Sequence, residues 1–285
     1  MTDISKTTSG RSGGRAQRLI KRAAKPVINP CPPGQFGGMY KPLSQPDLEN
    51  IFDTALRLLS ELGMGEIPNR LRQVLLTAGA QDGEAGRVVF PRSLTEDAIA
   101  KAAKTFVLHG RDETRSIQVG GSKVYFGTGG AAVQTLDLDS GTYRPSTLAD
   151  LHNFTRLQDT LANVSWYTRC CVATDVPSNF DLDVNTAYAL LLNTTKPTAT
   201  SFTLAEYVAP IVKMLDIAAG GKGAFSKRPF MKAHISPVIS PMRYGEDAVD
   251  VVYECIKHNI PMSCITAAQA GATAPATMAG FLVQS

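Results

Sequence analysis

The chain has 285 residues, 44% of them hydrophobic and 19% charged, with 24 Gly and 17 Pro. That composition excludes a disordered, collagenous or coiled-coil protein. It predicts one or two globular domains, each able to bury a core without help from disulfides or metal. The formal net charge is +4, but residues 1–26 hold Lys6, Arg11, Arg15, Arg18, Lys21, Arg22 and Lys25 against Asp3 alone, a local +6 that leaves −2 on the other 259 residues. The basic character therefore belongs to an N-terminal arm, read as solvated and mobile, with docking to nucleic acid or a partner as the alternative. The body offers no basic groove for nucleic acid.

Cys31, Cys170, Cys171, Cys255 and Cys264 are odd in number, lack CxxC spacing and include two sequence neighbours, which predicts a reducing cytoplasm rather than a disulfide framework. No apolar run reaches ~18 residues and the N-terminus has no apolar signal core, so neither a membrane span nor export is expected.

Along the chain, NPCPPGQFGGM at 29–39 reads as an extended connector, so residues 1–40 form arm plus connector. Ser44 and Pro46 open a helix whose inward face is Leu48, Ile51, Phe52, Ala55, Leu59 and Leu62, closed by Gly63. Helices at 69–77 and 93–104 follow, the latter capped by Ser93 with Glu96, and RVVFP at 87–91 reads as a short strand. Over 116–144 the period changes to two, around Gly120-Gly121 and Ser140-Gly141, which predicts one small antiparallel ribbon. The run Gly127-Thr128-Gly129-Gly130 lacks the Lys-Ser/Thr ending and the following helix of a phosphate loop. Residues 41–145 are thus read as a helical layer plus a β-ribbon.

From 146 onward strand and helix alternate. Ser146 or Thr147 caps a helix with Leu148, Leu151, Phe154, Leu157 and Leu161 inward, and a strand follows at 164–173. Helices at 180–192, 204–215 and 248–256 separate strands at 197–202, 230–236 and 262–266, and a last helix starts after Pro275. Strands every ~30 residues with helices between them are βαβ units of a parallel sheet, either a (β/α) barrel or a doubly wound sheet. A full eight-stranded barrel needs ~250 residues, and 146–285 has room for about four units, so the expectation is an incomplete barrel, truncated or paired with a second copy or another chain.

Several segments then carry a resemblance: SGGRA at 12–16, ALRLLSELG from Ala55, HGRD at 109–112, NTTKP at 193–197, SPVISPMRYGEDAVDVV at 236–252, and above all AAQAGATAPATMAGFLVQ from Ala267. Together these resemble the trimethylamine methyltransferase family, which includes glycine betaine:corrinoid methyltransferases. The resemblance implies an α/β fold of TIM (β/α) barrel type with an added N-terminal helical region, here incomplete at about four β/α units. It also implies transfer of a methyl group from trimethylamine or a betaine to the Co(I) of a cognate corrinoid protein, and a homo-oligomer. The pyrrolysine of the trimethylamine members would lie beyond Ser285. An amine-binding or half-barrel module that is catalytically silent without a second chain is the alternative.

On a TIM barrel the site lies at the C-terminal ends of the strands, here 170–175, 201–203, 234–237 and 266–269. A quaternary ammonium is held by aromatic faces, so Phe202 is a candidate cage wall or else a core aromatic, while Trp166 and Tyr167 lie too near the start of their strand. His234 could orient a carboxylate, relay a proton, or be a satisfied core histidine. Gln269 sits on a loop suited to ligand or corrinoid contact, and Thr203 and Ser236 complete the substrate-binding set. Cys171 with Cys170 is either a thiolate site or a pair of small hydrophobes, with no zinc grouping around them. Asp175 stabilises a cation at the rim or caps a helix, and Asp181 and Asp183 are first-turn charges. A carboxylated substrate would call for Arg169 or Arg243.

Overall fold

The computed structural model describes residues 28–285 together with Gly14, Leu19 and Ile20. The basic arm read from 1–26 and the SGGRA segment otherwise lie outside the described residues. Within the connector, β1 (Gln35–Phe36) is a short extended strand. Helix α1 (Gln45–Arg57) starts where predicted: the Ser44 hydroxyl accepts from the Asp47 amide and the Asp47 carboxylate accepts from the Ser44 amide. It continues as a π-helical turn at Leu58–Leu62 and stops at Gly63. Gly63 has φ of +70°, and a Cβ there would stand 2.1 Å from the Val88 carbonyl oxygen, so only glycine lets the two segments touch.

Helix α2 (Asn69–Thr77) falls on its predicted bounds. A hairpin of β2 (Gln81–Asp82) and β3 (Val88–Val89) then leads to α3 (Arg92–Lys101). The expected Ser93 cap is not formed, because α3 begins at Arg92 after Pro91 with no side-chain cap. Arg92 pairs instead with Glu96 and with Asp53, tying α3 to α1.

The single ribbon expected over 116–144 is divided among four partners. β4 (Thr105–Leu108) and β5 (Ile117–Gly120) make one hairpin, and β6 (Lys123–Val124) pairs with β1. β7 (Phe126–Gly127) joins the main parallel sheet, while β8 (Gln134–Leu136) and β9 (Tyr143–Pro145) make a second hairpin. Alternation fixes which face a side chain takes but not which strand it lies beside. Gly127 explains the departure of β7: a Cβ there would be 2.1–2.5 Å from three atoms of the Trp166 indole, so this backbone lies against the ring.

The remainder alternates helix and strand: α4 (Leu148–Thr160), β10 (Val164–Thr168), α5 (Asn179–Asn193), β11 (Thr198–Thr200), α6 (Ala205–Ala218), α7 (Ala224–Lys227), β12 (Met231–Ile239), β13 (Arg243–Tyr244), α8 (Glu246–Lys257), β14 (Met262–Thr266) and α9 (Met278–Gln284). Thr147 is the cap of α4, in a box with Asp150. β7, β10, β11, β12 and β14 lie side by side and parallel, curled as a half-barrel, with β13 antiparallel on β12. The four predicted strands are all present, and β7 is a fifth that the sequence reading did not separate.

The main core lies on the helix side of the sheet, where Tyr167, Met231, Ala233 and Ile235 meet Leu190, Ile211, Leu215, Phe225 and Val251. Each such large side chain contributes roughly 1.5–3 kcal/mol by leaving water. The apolar stripe expected on α4 is narrower than predicted: Leu151 is fully buried, whereas Leu157 and Leu161 are exposed. Residues 33–285 form one compact unit. Among the described residues no helix is long and apolar enough to cross a membrane.

Candidate functional site

Strand geometry builds the site. On β12, Met231, Ala233 and Ile235 enter the helix-facing core, so alternation turns Lys232 and His234 to the concave face. The parallel register places Thr168, Ala199 and Lys232 in one layer across β10, β11 and β12. His234 and Ser263 form the next layer, nearer the strand tips where barrel chemistry is placed.

Two groups on this face have no partner among the described residues. Thr168 is 3% exposed with its hydroxyl Oγ1 unpaired, and the buried Nδ1 of His234 is unpaired as well. Buried polar atoms are nearly always satisfied, so these two stand out on the concave face. Burial, then the nearby charges of Lys232 and Arg169, lower the His234 pKa, leaving a neutral imidazole able to donate or accept one hydrogen bond. Arg169 is itself held below its usual value by burial, against the attraction of Asp183 and Cys171.

Asp183 is not the surface charge expected of a first turn. It is 2% exposed, and its carboxylate accepts from the Thr203 amide at 2.5 Å and the Thr203 hydroxyl at 3.0 Å. Burial raises its pKa, and the Thr203 bonds and Arg169 pull it back. Asp183 is thus bonded to Thr203, and the Arg169 charge is felt at both Asp183 and His234.

The other sequence-selected residues do not converge on His234. Phe202, 7% exposed, is packed within the helix-facing core with Tyr167 and Val208, the position of a core aromatic. Thr203 has committed its donors to Asp183. Cys171 is buried against Leu151 and Ala189. Cys170 accepts from or donates to the Tyr167 hydroxyl at 3.2 Å, and hydrogen bonding with Cys171 lowers it to about 7 while pushing Cys171 up. Ser236 lies within the bulge between Ile235 and Val238, and opens on a separate cavity lined by Glu66, Tyr244, Glu246 and Asp247. Gln269 is exposed, and its backbone carbonyl accepts from the amides of Ala272, Thr273 and Ala274 in a tight loop. Asp175 accepts from the Leu148 amide at the start of α4, the preceding helix rather than the following one. Arg243 is paired with Glu66.

Sequence reasoning missed Lys232, Thr168 and Ser263. Strict alternation with His234 could have placed Lys232 on the same face. Among the described residues, no three His, Cys, Asp or Glu side chains are grouped to hold a metal ion.

Comparison with known proteins adds the lineage. Residues 11–285 match the family description "Trimethylamine methyltransferase (MTTB)". The chain is 29% identical over 241 residues to the trimethylamine methyltransferase MttB of Desulfitobacterium hafniense (strain DSM 10664 / DCB-2), covering 84% of this chain and 48% of that protein. It is 25% identical over 250 residues to the glycine betaine methyltransferase of Desulfitobacterium hafniense (strain Y51), with 87% and 51% covered. It is 26% identical over 248 residues to the L-carnitine:corrinoid methyltransferase of Eubacterium limosum, with 84% and 50% covered. The chain spans about half the length of these relatives. With the family description matched over nearly its whole length, the chain belongs to the trimethylamine methyltransferase family.

Proposed function

We propose that this chain supplies one half of a TIM-type barrel that binds a methylated amine, trimethylamine or a betaine such as glycine betaine, and presents its methyl group to a corrinoid protein in the cytoplasm. In this reading residues 41–145 are a covering layer that also lends β7 to the sheet, and 146–285 form the rest of the half-barrel. The observation that carries it is the family match over residues 11–285, on a curled parallel sheet whose concave face holds unsatisfied polar groups. The relatives named above are methyltransferases named for trimethylamine, glycine betaine and carnitine, which supports this substrate class.

The reduced corrinoid, carried by the partner, supplies the nucleophile that accepts the methyl group. What this chain must do is bind, orient and keep water away. His234, held towards its neutral form by burial and by the charges of Lys232 and Arg169, is the polar contact in this reading, whereas Ser236 opens on its own cavity and Gln269 lies exposed on the loop after β14. The edge of β14 that has no strand partner among the described residues, where Cys264 and Ile265 are exposed, favours a second reading in which the sheet is completed by another polypeptide or copy. Light scattering during gel filtration separates the two, since a copy-completed sheet gives a dimer.

The test is methyl transfer from a panel of trimethylamine, glycine betaine and carnitine to free cob(I)alamin, followed by loss of the Co(I) absorbance, beside calorimetric titration of the same amines. One amine should bind and react, and His234→Ala should weaken its binding by roughly tenfold, the equivalent of one good polar contact. Neither heat nor transfer with any of the three refutes the reading.

A further inference from the structure

On the concave face, from the His234–Ser263 layer down towards the N-terminal ends of the strands, the β4–β5 hairpin and β6 border a cavity of about 290 Å³. Phe106, Tyr125 and Trp166 give it aromatic walls. Lys232 enters it with its ammonium 2.5 Å from the Ser263 hydroxyl and 4.9 Å from the centre of the Trp166 ring. Lys123 stands at the same cavity, bonded to Gln118, and none of the lining residues is acidic.

Lys232 is the anomaly. It is 9% exposed, yet among the described residues its three-donor head makes one hydrogen bond, to a neutral hydroxyl, and no ion pair. Lysines this buried are almost always matched by a carboxylate, because a bare ammonium loses its hydration for nothing in return. A cation–π contact repays part of that loss. The rest calls for an anion. The cavity has room for a few heavy atoms beyond an acid group, and its aromatic walls suit a compact apolar or methylammonium body.

We propose that this cavity is a second binding site, distinct from the amine rim, for a small monocarboxylate whose acid group pairs with Lys232 and Ser263 and whose body lies against Phe106, Tyr125 and Trp166. The site depends on no feature of the methyl-transfer reading. A carboxylate here would restore the hydrogen bonds that the Lys232 ammonium lacks, and charge-assisted pairs of this kind are among the stronger contacts a protein makes.

The sequence holds a single tryptophan, Trp166, so intrinsic fluorescence reports this cavity directly. The full chain is titrated with tert-butylacetate, with its neutral amide tert-butylacetamide, and with glycine betaine, which replaces the central carbon by a quaternary nitrogen. We expect saturable quenching or shift with tert-butylacetate and at least roughly tenfold weaker binding of the amide. Lys232→Met, near in volume and checked for fold by circular dichroism, should remove that preference for the acid. Ser263→Ala, which leaves the lysine in place, should weaken the acid and not the amide, and carries the test if the lysine variant does not fold. Betaine binding as tight as tert-butylacetate would put the methylammonium against the aromatic walls, and weaker binding would make the body uncharged, both with the carboxylate on Lys232. Equal affinity for acid and amide, acid binding unaltered in Lys232→Met, or no saturable response to either carboxylate overturns the proposal. Binding that survives when the cob(I)alamin assay fails would leave this site standing and the methyl-transfer reading refuted.

Discussion

Gly127→Ala tests how the half-barrel is assembled, because it acts at one contact with known spacing. An added Cβ would stand 2.1 Å from Trp166 Cε2, 2.2 Å from Cδ2 and 2.5 Å from Nε1. Carbon atoms settle at about 3.5–4.0 Å, so the ring or the β7 backbone must give way by about 1.5 Å. Overpacking of this kind costs roughly 1–3 kcal/mol. The ring cannot move without disturbing the Lys232 contact at 4.9 Å, worth about another 1 kcal/mol, for a total near 2–4 kcal/mol. Urea unfolding read by far-ultraviolet circular dichroism should show the loss as a lower midpoint at unchanged slope. The Trp166 emission maximum should shift in the folded state before any denaturant is added. A variant with wild-type emission and a stability within about 0.5 kcal/mol of wild type would show that β7 does not rest on the indole, and the fifth strand would lose its explanation.

Three further outcomes follow from the placements described above. Phe202→Ala should cost about 3–5 kcal/mol in chemical unfolding while leaving calorimetric amine affinity unchanged in the folded fraction; a tenfold affinity loss at full stability would instead make it a cage wall. Asp183→Asn removes the charge facing Arg169 but keeps the shape, and should destabilise by about 1–3 kcal/mol in the same assay, with Asp181→Asn near neutral. The Asp150 carboxyl is held well below the usual carboxylate range, first by the Arg144 hydrogen bonds at 2.7 and 2.9 Å, so its contribution is present above about pH 4 and fades as pH falls below that. Thermal melts between pH 7 and 3 should therefore show a smaller acid loss in Arg144→Gln than in the parent, and equal losses would remove the pair from the ledger.

The fold was legible where local rules decide it. Ser44, Thr147 and Gly63 mark ends that the backbone uses, and Val208, Ile211 and Leu215 keep helical spacing on the face that α6 buries. It was illegible where partner choice decides. Nothing in Phe126-Gly127 distinguishes a ribbon strand from the first strand of a parallel sheet, because the deciding contact is with Trp166, some 40 residues later. The site suffered more. Phe202 and Ser236 end the strands expected from the sequence, as a rim residue should, but β11 stops at Thr200 and Phe202 turns into the core, while β12 runs on to Ile239 with Ser236 in a bulge beyond His234. A bulge inverts every later position of a strand, and no composition signal announces it.

β12 shows how one strand can serve three environments. Its odd residues Met231, Ala233 and Ile235 anchor α6 and α8 through the core, and that burial fixes the register. Once the register is fixed, Lys232 and His234 have no choice but the concave face, although neither gains a carboxylate there. The two lie one layer apart, about 7 Å along the strand; burial lowers the proton affinity of both, and the Lys232 charge lowers that of His234 further. The cost of holding Lys232 so deep is borne by the core that pins its neighbours, so a substitution such as Ile235→Ala should loosen the cationic face without touching it. The bulge after Ile235 then leaves the last third of the strand paired with β13 on one edge and with Thr266 on the other, and β13 is bridged in turn to Gly65 of the helical layer.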